Sequence, residues 1–139
     1  MSAYLDASVL VAIFTNDEFS DRAVAMLSSD ETFTVSDFAA AEFASAIARK
    51  VRMKGIRANS ARAVFTTFDQ WRAEKAVTVE TAPSDLAVCA AYLRRLDLPL
   101  RTGDAFNIAI AHRLGATLMT FDNKMAESAR LLGVKARSV

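Results

Sequence analysis

The stretch LRTGDAFNIAIAHRLGATLMTFD, residues 100–122, contains a helix, a strand and two carboxylates in one short run. The apolar residues after Asp104 predict a helix, and Gly115 is a natural residue for its C-terminal end. The apolar segment 116–120 predicts a β-strand, which Asp122 follows. An Asp at a helix start usually caps the helix, because its side chain accepts hydrogen bonds from free backbone N–H groups. The stretch therefore predicts a helix and then a strand, with one acid near each end.

The same alternation of helices and short apolar strands extends over the whole chain. Strands are predicted at residues 3–5, 32–35, 77–79, 116–120 and 134–137. Helices are predicted at 8–14, 21–27, 37–54, from 59 or 60 onward, 83–96, 104–115 and 125–132. This order predicts an α/β fold with a parallel sheet of about five strands and helices on both faces. Short apolar strands are typical of strands that are covered on both faces.

The totals exclude several classes of protein. A length of 139 residues suits one domain, spanning 1–139, and a net charge of +1 gives no global attraction to nucleic acid. One cysteine excludes an intrachain disulfide and a cysteine-based zinc site, and four glycines cannot form a Rossmann fingerprint or a P-loop. The N-terminus lacks signal-peptide features, and no apolar run approaches the ~18 residues of a membrane span. We expect a soluble, cytoplasmic protein without a membrane partner.

Four acids stand where a parallel sheet of this kind binds its ligands, outside the carboxyl ends of the strands. Asp6 and Asp122 follow predicted strands, Asp104 begins a helix, and Glu42 lies less than two turns into the helix after the second strand. Each has an ordinary alternative, since Asp6 could cap a helix, Asp122 could form an Asx-turn and Glu42 could be a surface residue. Four converging carboxylates, however, repel one another unless a cation neutralises them.

The chemistry of these residues favours a hard divalent cation. Mg²⁺ typically uses one or two carboxylates and keeps waters and phosphate oxygens as its other ligands. Two such ions together can stabilise an in-line displacement at phosphorus. The lack of a cysteine cluster and of a second histidine argues against zinc. The acids therefore predict phosphoryl chemistry with Mg²⁺ or Mn²⁺.

The ordered set of motifs resembles a known family. The motifs are YLDAS at 4–8, Glu42 within a helix, GDA at 103–105 before an apolar helix, and TFD at 120–122. Together they resemble the PIN-domain ribonucleases, and among these the VapC-type toxins of VapBC toxin–antitoxin systems. The resemblance extends over essentially the whole chain in length and in order of elements. Each motif alone is weak, whereas the ordered set in a chain of this size is specific.

The resemblance implies a single PIN-like domain that cleaves RNA endonucleolytically, with water as the nucleophile and with Mg²⁺ or Mn²⁺ as cofactor. It also implies a homodimer and a cognate antitoxin whose tail blocks the acidic pocket. The catalytic and metal-binding acids of the family map onto Asp6, Glu42, Asp104 and Asp122, with Ser8 and Thr120 as supporting hydroxyls.

Asn107 is the one departure from the family pattern, because many relatives carry His there. Asn107 lies one helical turn after Asp104 and can still hydrogen-bond a ligand carboxylate or a metal-bound water. It cannot transfer a proton at neutral pH. The departure therefore affects the support of the acids rather than the acids themselves.

A basic segment follows Glu42 and could hold RNA beside an acidic pocket. Arg49, Lys50 and Arg52 are its first members, and no acid occurs between Glu42 and Asp69. Arg49 lies seven residues after Glu42, which places it roughly 10 Å farther along nearly the same helix face. The alternative is a solvated helix end, where cations suit the helix dipole. The aromatic stripe at 65, 68 and 71 has the spacing of a core or dimer face rather than of a base-stacking platform.

Three rival interpretations of the same pattern remain. A receiver-type phosphoacceptor domain would need paired acids after the first strand, where Asp6 stands alone. A phosphatase with an Asp nucleophile would need a second Asp at position 8, which is Ser8. A non-catalytic PIN-like module that binds RNA or a protein partner would not need all four acids, and metal-dependent cleavage distinguishes it from an enzyme.

Overall fold

The computed structural model describes residues 2–139, and its centre is a sheet of five parallel strands. The strands are β1 (Ser2–Leu5), β2 (Thr32–Ser36), β3 (Ala76–Val79), β4 (Thr117–Thr120) and β5 (Ala136–Ser138). The helices are α1 (Ala7–Phe14), α2 (Ser20–Met26), α3 (Asp37–Arg52), α4 (Ala58–Lys75), α5 (Pro83–Arg94), α6 (Thr102–Leu114) and α7 (Asn123–Leu131). The predicted parallel α/β fold is confirmed, and the predicted element ends lie within two residues of those observed.

The order of the strands across the sheet is β3-β2-β1-β4-β5. The chain moves outward from β1 to β2 and β3, and then crosses back to β4 on the other side of β1. Right-handed crossovers then place α1 to α4 on one face and α5 to α7 on the other. The packing agrees, because α1 contacts α2 and α3 while α5 packs along α6. The reversal between β1 and β4 is the kind of position at which parallel sheets bind ligands.

The core lies between the three central strands and the two helix layers. Tyr4 and Leu5 of β1 and Leu118 of β4 are fully buried, as are Phe43 of α3 and Ile108 of α6. Phe43 also packs against the aromatic rings of α1 and α4, which include Phe14, Phe65 and Phe68. The aromatic stripe of α4 is therefore part of the core, as its spacing predicts.

The two outer strands correct the expectation that every strand is covered on both faces. Val77 of β3 is half exposed and Thr78 beside it is exposed, as are Arg137 and Ser138 of β5. These strands form the sheet edges, where each has a neighbour on one side only, and the helices cover the central strands more completely. Apolar composition did not distinguish edge strands from central ones.

Glycine and polar caps end and begin several helices as the sequence predicts. Gly115 ends α6 in the left-handed conformation with a φ of 62°, which favours glycine. Ser36 caps α3 by accepting a hydrogen bond from the N–H of Ala39. Within residues 2–139 no helix combines the length and the apolar composition that crossing a bilayer requires.

Candidate active site

The topology brings the four predicted acids to the carboxyl edge of the sheet. Asp6 follows β1, and Asp122 follows β4, the strand that pairs with β1. Glu42 lies in the second turn of α3, which leaves the same edge directly after β2. Asp104 lies in the first turn of α6. This helix runs antiparallel to β4, the strand that follows it, so the helix begins at the carboxyl edge of the sheet.

Asp6 is a buried carboxylate, only 4% exposed, at the start of α1. Its Oδ1 accepts hydrogen bonds from the N–H of Val9 at 3.1 Å and from the hydroxyl of Ser8 at 2.6 Å. Burial raises the pKa of Asp6, and hydrogen bonds from the side chains of Ser8 and Thr120 oppose that rise. Asp6 therefore does cap the helix, but at a cost in desolvation that capping does not require.

Glu42 is held by a chain of buried hydrogen bonds that starts at the first strand. The hydroxyl of Tyr4 donates to Oδ1 of Asn107 at 2.6 Å and lies 2.6 Å from the hydroxyl of Ser36. The amide nitrogen of Asn107 donates to Oε1 of Glu42 at 2.6 Å and to the carbonyl oxygen of Gly103 at 2.9 Å. Because Tyr4 donates to one end of the Asn107 amide, the other end is fixed as the donor to Glu42.

The charge of Glu42 is disfavoured by its surroundings. Burial raises its pKa, the carboxylates of Asp6 and Asp104 raise it further, and the hydrogen bond from Asn107 opposes them. Glu42 therefore lies close enough to Asp6 and to Asp104 for each of their charges to act on it. Gly103 permits the close approach of α6, because a Cβ there would lie 2.7 Å from Oε2 of Glu42.

Asp104 and Asp122 each cap a helix and also face a shared cavity. Oδ2 of Asp104 accepts from the N–H of Arg101 at 3.0 Å, and Oδ1 of Asp122 accepts from the N–H of Met125 at 3.1 Å. Both acids line a cavity of about 520 Å³, together with Arg101 and Lys124. The expectation that Asp104 accepts a backbone hydrogen bond at a helix start is confirmed, whereas Asp122 caps α7 instead of forming an Asx-turn. Each acid uses one oxygen in this way and leaves the other for a ligand.

Ser8 and Thr120 connect the two strand ends that carry the acids. The hydroxyl of Ser8 donates to Asp6 and accepts from the N–H of Phe121 at 3.1 Å. The hydroxyl of Thr120 accepts from the N–H of Asp122 at 3.0 Å. These bonds hold the segment after β4 against the start of α1.

The acidic edge has no internal neutralising partner. Across residues 2–139 none of the four acids forms an ion pair with Lys, Arg or His. In the same range no three side chains of Asp, Glu, His or Cys stand close enough together to hold one metal ion directly. Mg²⁺ needs only one or two carboxylates beside water and phosphate oxygens, so this all-oxygen donor set suits Mg²⁺ or Mn²⁺.

The predicted basic residues lie on the last turns of α3. Arg49 and Arg52 are exposed and Lys50 is half-buried. In the part of the chain that the structure describes, none of the three forms an ion pair. The helix is continuous from Glu42 to Arg52, so the separation of roughly 10 Å between Glu42 and Arg49 follows from its rise.

Sequence reasoning missed two features of this region. Tyr4 carries no sequence signal for its hydroxyl contact with Asn107, because the two residues are 103 positions apart. Phe19 and Phe121 stack with ring centroids 4.5 Å apart and planes inclined by 18°. The position of Phe121 directly before Asp122 was the sequence signal that could have pointed to this stacked pair.

These observations define a parallel α/β protein with a switch point between β1 and β4 and an uncompensated acidic edge. The model of the PIN domain family matches residues 3–131. The chain belongs to the PIN-domain family, and the resemblance drawn from its motifs is confirmed.

Individual relatives agree with this assignment. The chain is 27% identical over 127 residues to Ribonuclease VapC3 of Pyrobaculum aerophilum, covering 91% of this chain and 94% of that protein. It is similar in fold to Mycobacterium tuberculosis VapC20, a sarcin-ricin loop cleaving toxin, with a TM-score of 0.74, 15% identity and coverage of 91% and 94%. The DNA-bound VapBC2 structure from Rickettsia felis gives a TM-score of 0.72, 13% identity and coverage of 99% and 98%.

Proposed function

We propose that this chain is a Mg²⁺- or Mn²⁺-dependent endoribonuclease and the toxin component of a toxin–antitoxin pair. The observation that carries the proposal is the uncompensated negative charge at the switch point of the sheet. Burial and then the nearby carboxylates of Asp6 and Asp104 raise the pKa of Glu42, and within residues 2–139 no basic side chain pairs with any of these acids. Such a cluster is favoured when a cation binds it.

The relatives support the substrate and the biological role. A ribonuclease name belongs to the Pyrobaculum relative, which this chain matches over 94% of its length. Proteins of similar fold were solved as VapBC toxin–antitoxin complexes, and one is described as a sarcin-ricin loop cleaving toxin. We therefore assign RNA as the substrate, with residues 1–139 as one nuclease domain.

One or two of the four acids would bind the cation directly and the others through water, and three further side chains would position them. When bound, Mg²⁺ or Mn²⁺ supplies Lewis-acid polarisation of the scissile phosphate and lowers the pKa of a water. Asn107 holds Oε1 of Glu42, and Oε2 lies beside Gly103. Ser8 orients Asp6, and Thr120 holds the backbone of Asp122.

The basic end of α3 would bind the RNA backbone. Arg49, Lys50 and Arg52 lie beyond Glu42 on the same helix, and no ion pair within residues 2–139 occupies them. Contacts from these residues to phosphates would set affinity and position rather than sequence choice. They also offset the repulsion between the acidic edge and a polyanion.

Two protein partners belong to the proposal. A cognate antitoxin is the first, since toxin–antitoxin complexes are among the neighbours of similar fold, and we expect it to cover the acidic edge. A homodimer is expected because the apolar content, 53%, is high for a chain of this size. Light scattering at micromolar concentration checks the second expectation, and a monomer there would contradict it.

The decisive experiment is cleavage of total RNA by the purified chain in Mn²⁺, in Mg²⁺ and in EDTA. We expect cleavage in either metal and none in EDTA, and loss of cleavage in Glu42→Gln. Glu127→Gln, an exposed position on α7, is the matched control and should behave as wild type. Undiminished cleavage in EDTA, or by Glu42→Gln, would contradict the proposal. Intact RNA in every condition would favour a non-catalytic binding module.

A further inference from the structure

We propose that an apolar pocket beside the acidic edge is a subsite for one nucleobase of the RNA, adjacent to the scissile phosphate. The inference rests on the proposed function, since it assigns a place to part of that substrate. The pocket has a volume of about 260 Å³, which is below the roughly 300–1,000 Å³ typical of sites for whole small molecules. It is lined by Ala7, Ser8, Val11, Asp17, Phe19, Ala46 and Phe121.

The pocket shares its wall with the candidate active site. Ser8 lines the pocket, and its hydroxyl donates to Oδ1 of Asp6 at 2.6 Å. Phe121 lines it as well, lies directly before Asp122, and donates its N–H to Ser8 at 3.1 Å. A nucleotide whose phosphate reaches the acids would therefore have its base or ribose at the mouth of this pocket.

Contacts among three side chains hold the aromatic wall of the pocket. Phe19 and Phe121 are stacked, and the guanidinium of Arg22 lies 5.3 Å and 5.2 Å from the centroids of the two rings. Arg22 also donates to the carbonyl oxygen of Val139, which fixes it over the rings. A preorganised aromatic surface suits a nucleobase, since every base has a face that can stack on it.

Asp17, the charged member of the lining, is already engaged in hydrogen bonds. Oδ1 of Asp17 accepts from the N–H of Phe19 at 2.8 Å and from the hydroxyl of Ser20 at 3.3 Å. The carboxylate of Asp17 is thus stabilised by hydrogen bonds within residues 17–20. The remaining lining is mainly apolar, apart from Ser8, and so suits a ring better than a phosphate.

Charge along α3 identifies the occupant as RNA rather than as an apolar protein side chain. Glu42, Ala46 and Arg49 are at positions i, i+4 and i+7 of one helix and so share a face. The acid, the pocket and the cation therefore follow one another in a line. An RNA strand offers matching groups in the same order: a phosphate for the cation at the acidic edge, a base for the pocket and a second phosphate for Arg49.

The test compares binding of RNA with and without bases. The probes are a fluorescent decamer of random-sequence RNA and a decamer of abasic ribose phosphates, measured by anisotropy in EDTA so that cleavage does not interfere. We expect wild type to bind the base-bearing decamer about tenfold more tightly than the abasic one. Ala46→Phe, which fills the pocket, should bring this ratio close to one. Ala48→Phe, at an exposed position of the same helix, should retain it.

Phe121→Leu provides a second variant, because it keeps apolar volume but removes the ring face. It should also lower the ratio, and thermal melting verifies that each variant is folded. A ratio near one in wild type, or an unchanged ratio in folded Ala46→Phe or Phe121→Leu, overturns the subsite. The second result would favour an apolar protein side chain as the occupant of the pocket. Failure of the proposed function is a separate result, namely intact total RNA in Mn²⁺ and Mg²⁺.

Discussion

Two buried carboxylates of this protein have opposite electrostatic surroundings. Asp6, 4% exposed, has hydroxyl and N–H donors but no cation within residues 2–139, and burial raises its pKa. Asp85, 1% exposed, forms a two-pronged ion pair with Arg113 at 2.8 Å and 2.9 Å. Burial raises the pKa of Asp85 as well, but hydrogen bonds from Arg113 and from the N–H of Ala82 outweigh it and the pKa falls below its ordinary value.

The difference separates a structural acid from a candidate functional one. Arg113 also donates to the carbonyl oxygen of Glu80, so its side chain ties α6 both to α5 and to the segment after β3. Its charges are satisfied within the fold. The charge of Asp6 is not, and a buried charge without a partner lowers stability unless a ligand compensates for it. The comparison therefore predicts that substitutions at the two places affect different properties.

The largest expected effect is on activity and comes from Asp104→Asn. Asn can still accept the hydrogen bond from the N–H of Arg101, so the fold should be retained, and the melting temperature without metal should stay equal or rise as repulsion with Glu42 disappears. Cleavage of RNA should fall by about a thousandfold, the scale seen when an electrostatic group is removed from an active site. Stabilisation by Mn²⁺ should be lost in parallel. Thermal melts with and without Mn²⁺, together with a cleavage assay, measure all three properties. Full cleavage by Asp104→Asn would show that Asp104 serves only the start of the helix.

The second effect is on stability and comes from Arg113→Met. Removing one partner of a buried ion pair leaves a buried charge and costs about 3–5 kcal/mol; since Arg113 is one-third exposed, we expect about 3 kcal/mol. Urea unfolding with and without Mn²⁺ measures this loss, which should be the same in both. A metal-dependent loss of stability would show that the two regions are coupled, contrary to the comparison.

The third effect extends the comparison to cations. Arg113 is paired inside the fold, whereas Arg49, Lys50 and Arg52 form no ion pair in the described chain. Neutralising these three residues should weaken RNA binding and flatten its salt dependence by about one slope unit for each phosphate that is no longer bound. Stability should change little. Binding titrations over a range of salt concentrations measure the slope, and an unchanged slope would remove the three residues from the RNA site.

The fold was accessible from the sequence because its signals are local. The helix that ends at Gly115, the strand after it and the helix that Ser36 caps each depend on residues a few positions apart. Their alternation then fixes the parallel sheet and the common edge of the acids. The solvent exposure of Val77 could not be predicted from the sequence, since it depends on which strand lies at the sheet edge.

The acids of the site were accessible for the same reason, because each follows a strand or begins a helix. Their supporting bonds were not. Tyr4, Asn107 and Glu42 come from three distant segments, and their hydrogen bonds exist only once β1, α6 and α3 pack together. The pairing of Asp85 with Arg113 likewise joins residues 28 positions apart, so neither residue could be distinguished in sequence from a surface charge.

The smallest effect is on the pH dependence of stability and distinguishes the two carboxylates directly. Asp6 has a folded pKa above its ordinary 3.8, so the native state binds more protons than the unfolded state between the two values. Without metal, its contribution to stability is therefore present at low pH and lost as pH rises through the folded pKa. Asp85 has the opposite sign, since its lowered pKa gives stability that is present above 3.8 and lost as pH falls through the folded pKa.

We expect the melting temperature of metal-free wild type, minus that of Asp6→Asn, to increase as pH falls from 7 toward 4, and the same difference for Asp85→Asn to decrease below pH 4. With Mn²⁺ the trend for Asp6 should reverse, because protons compete with the metal for the carboxylate. A difference for Asp6 that is independent of pH in EDTA would show that its charge is compensated in the fold, as that of Asp85 is.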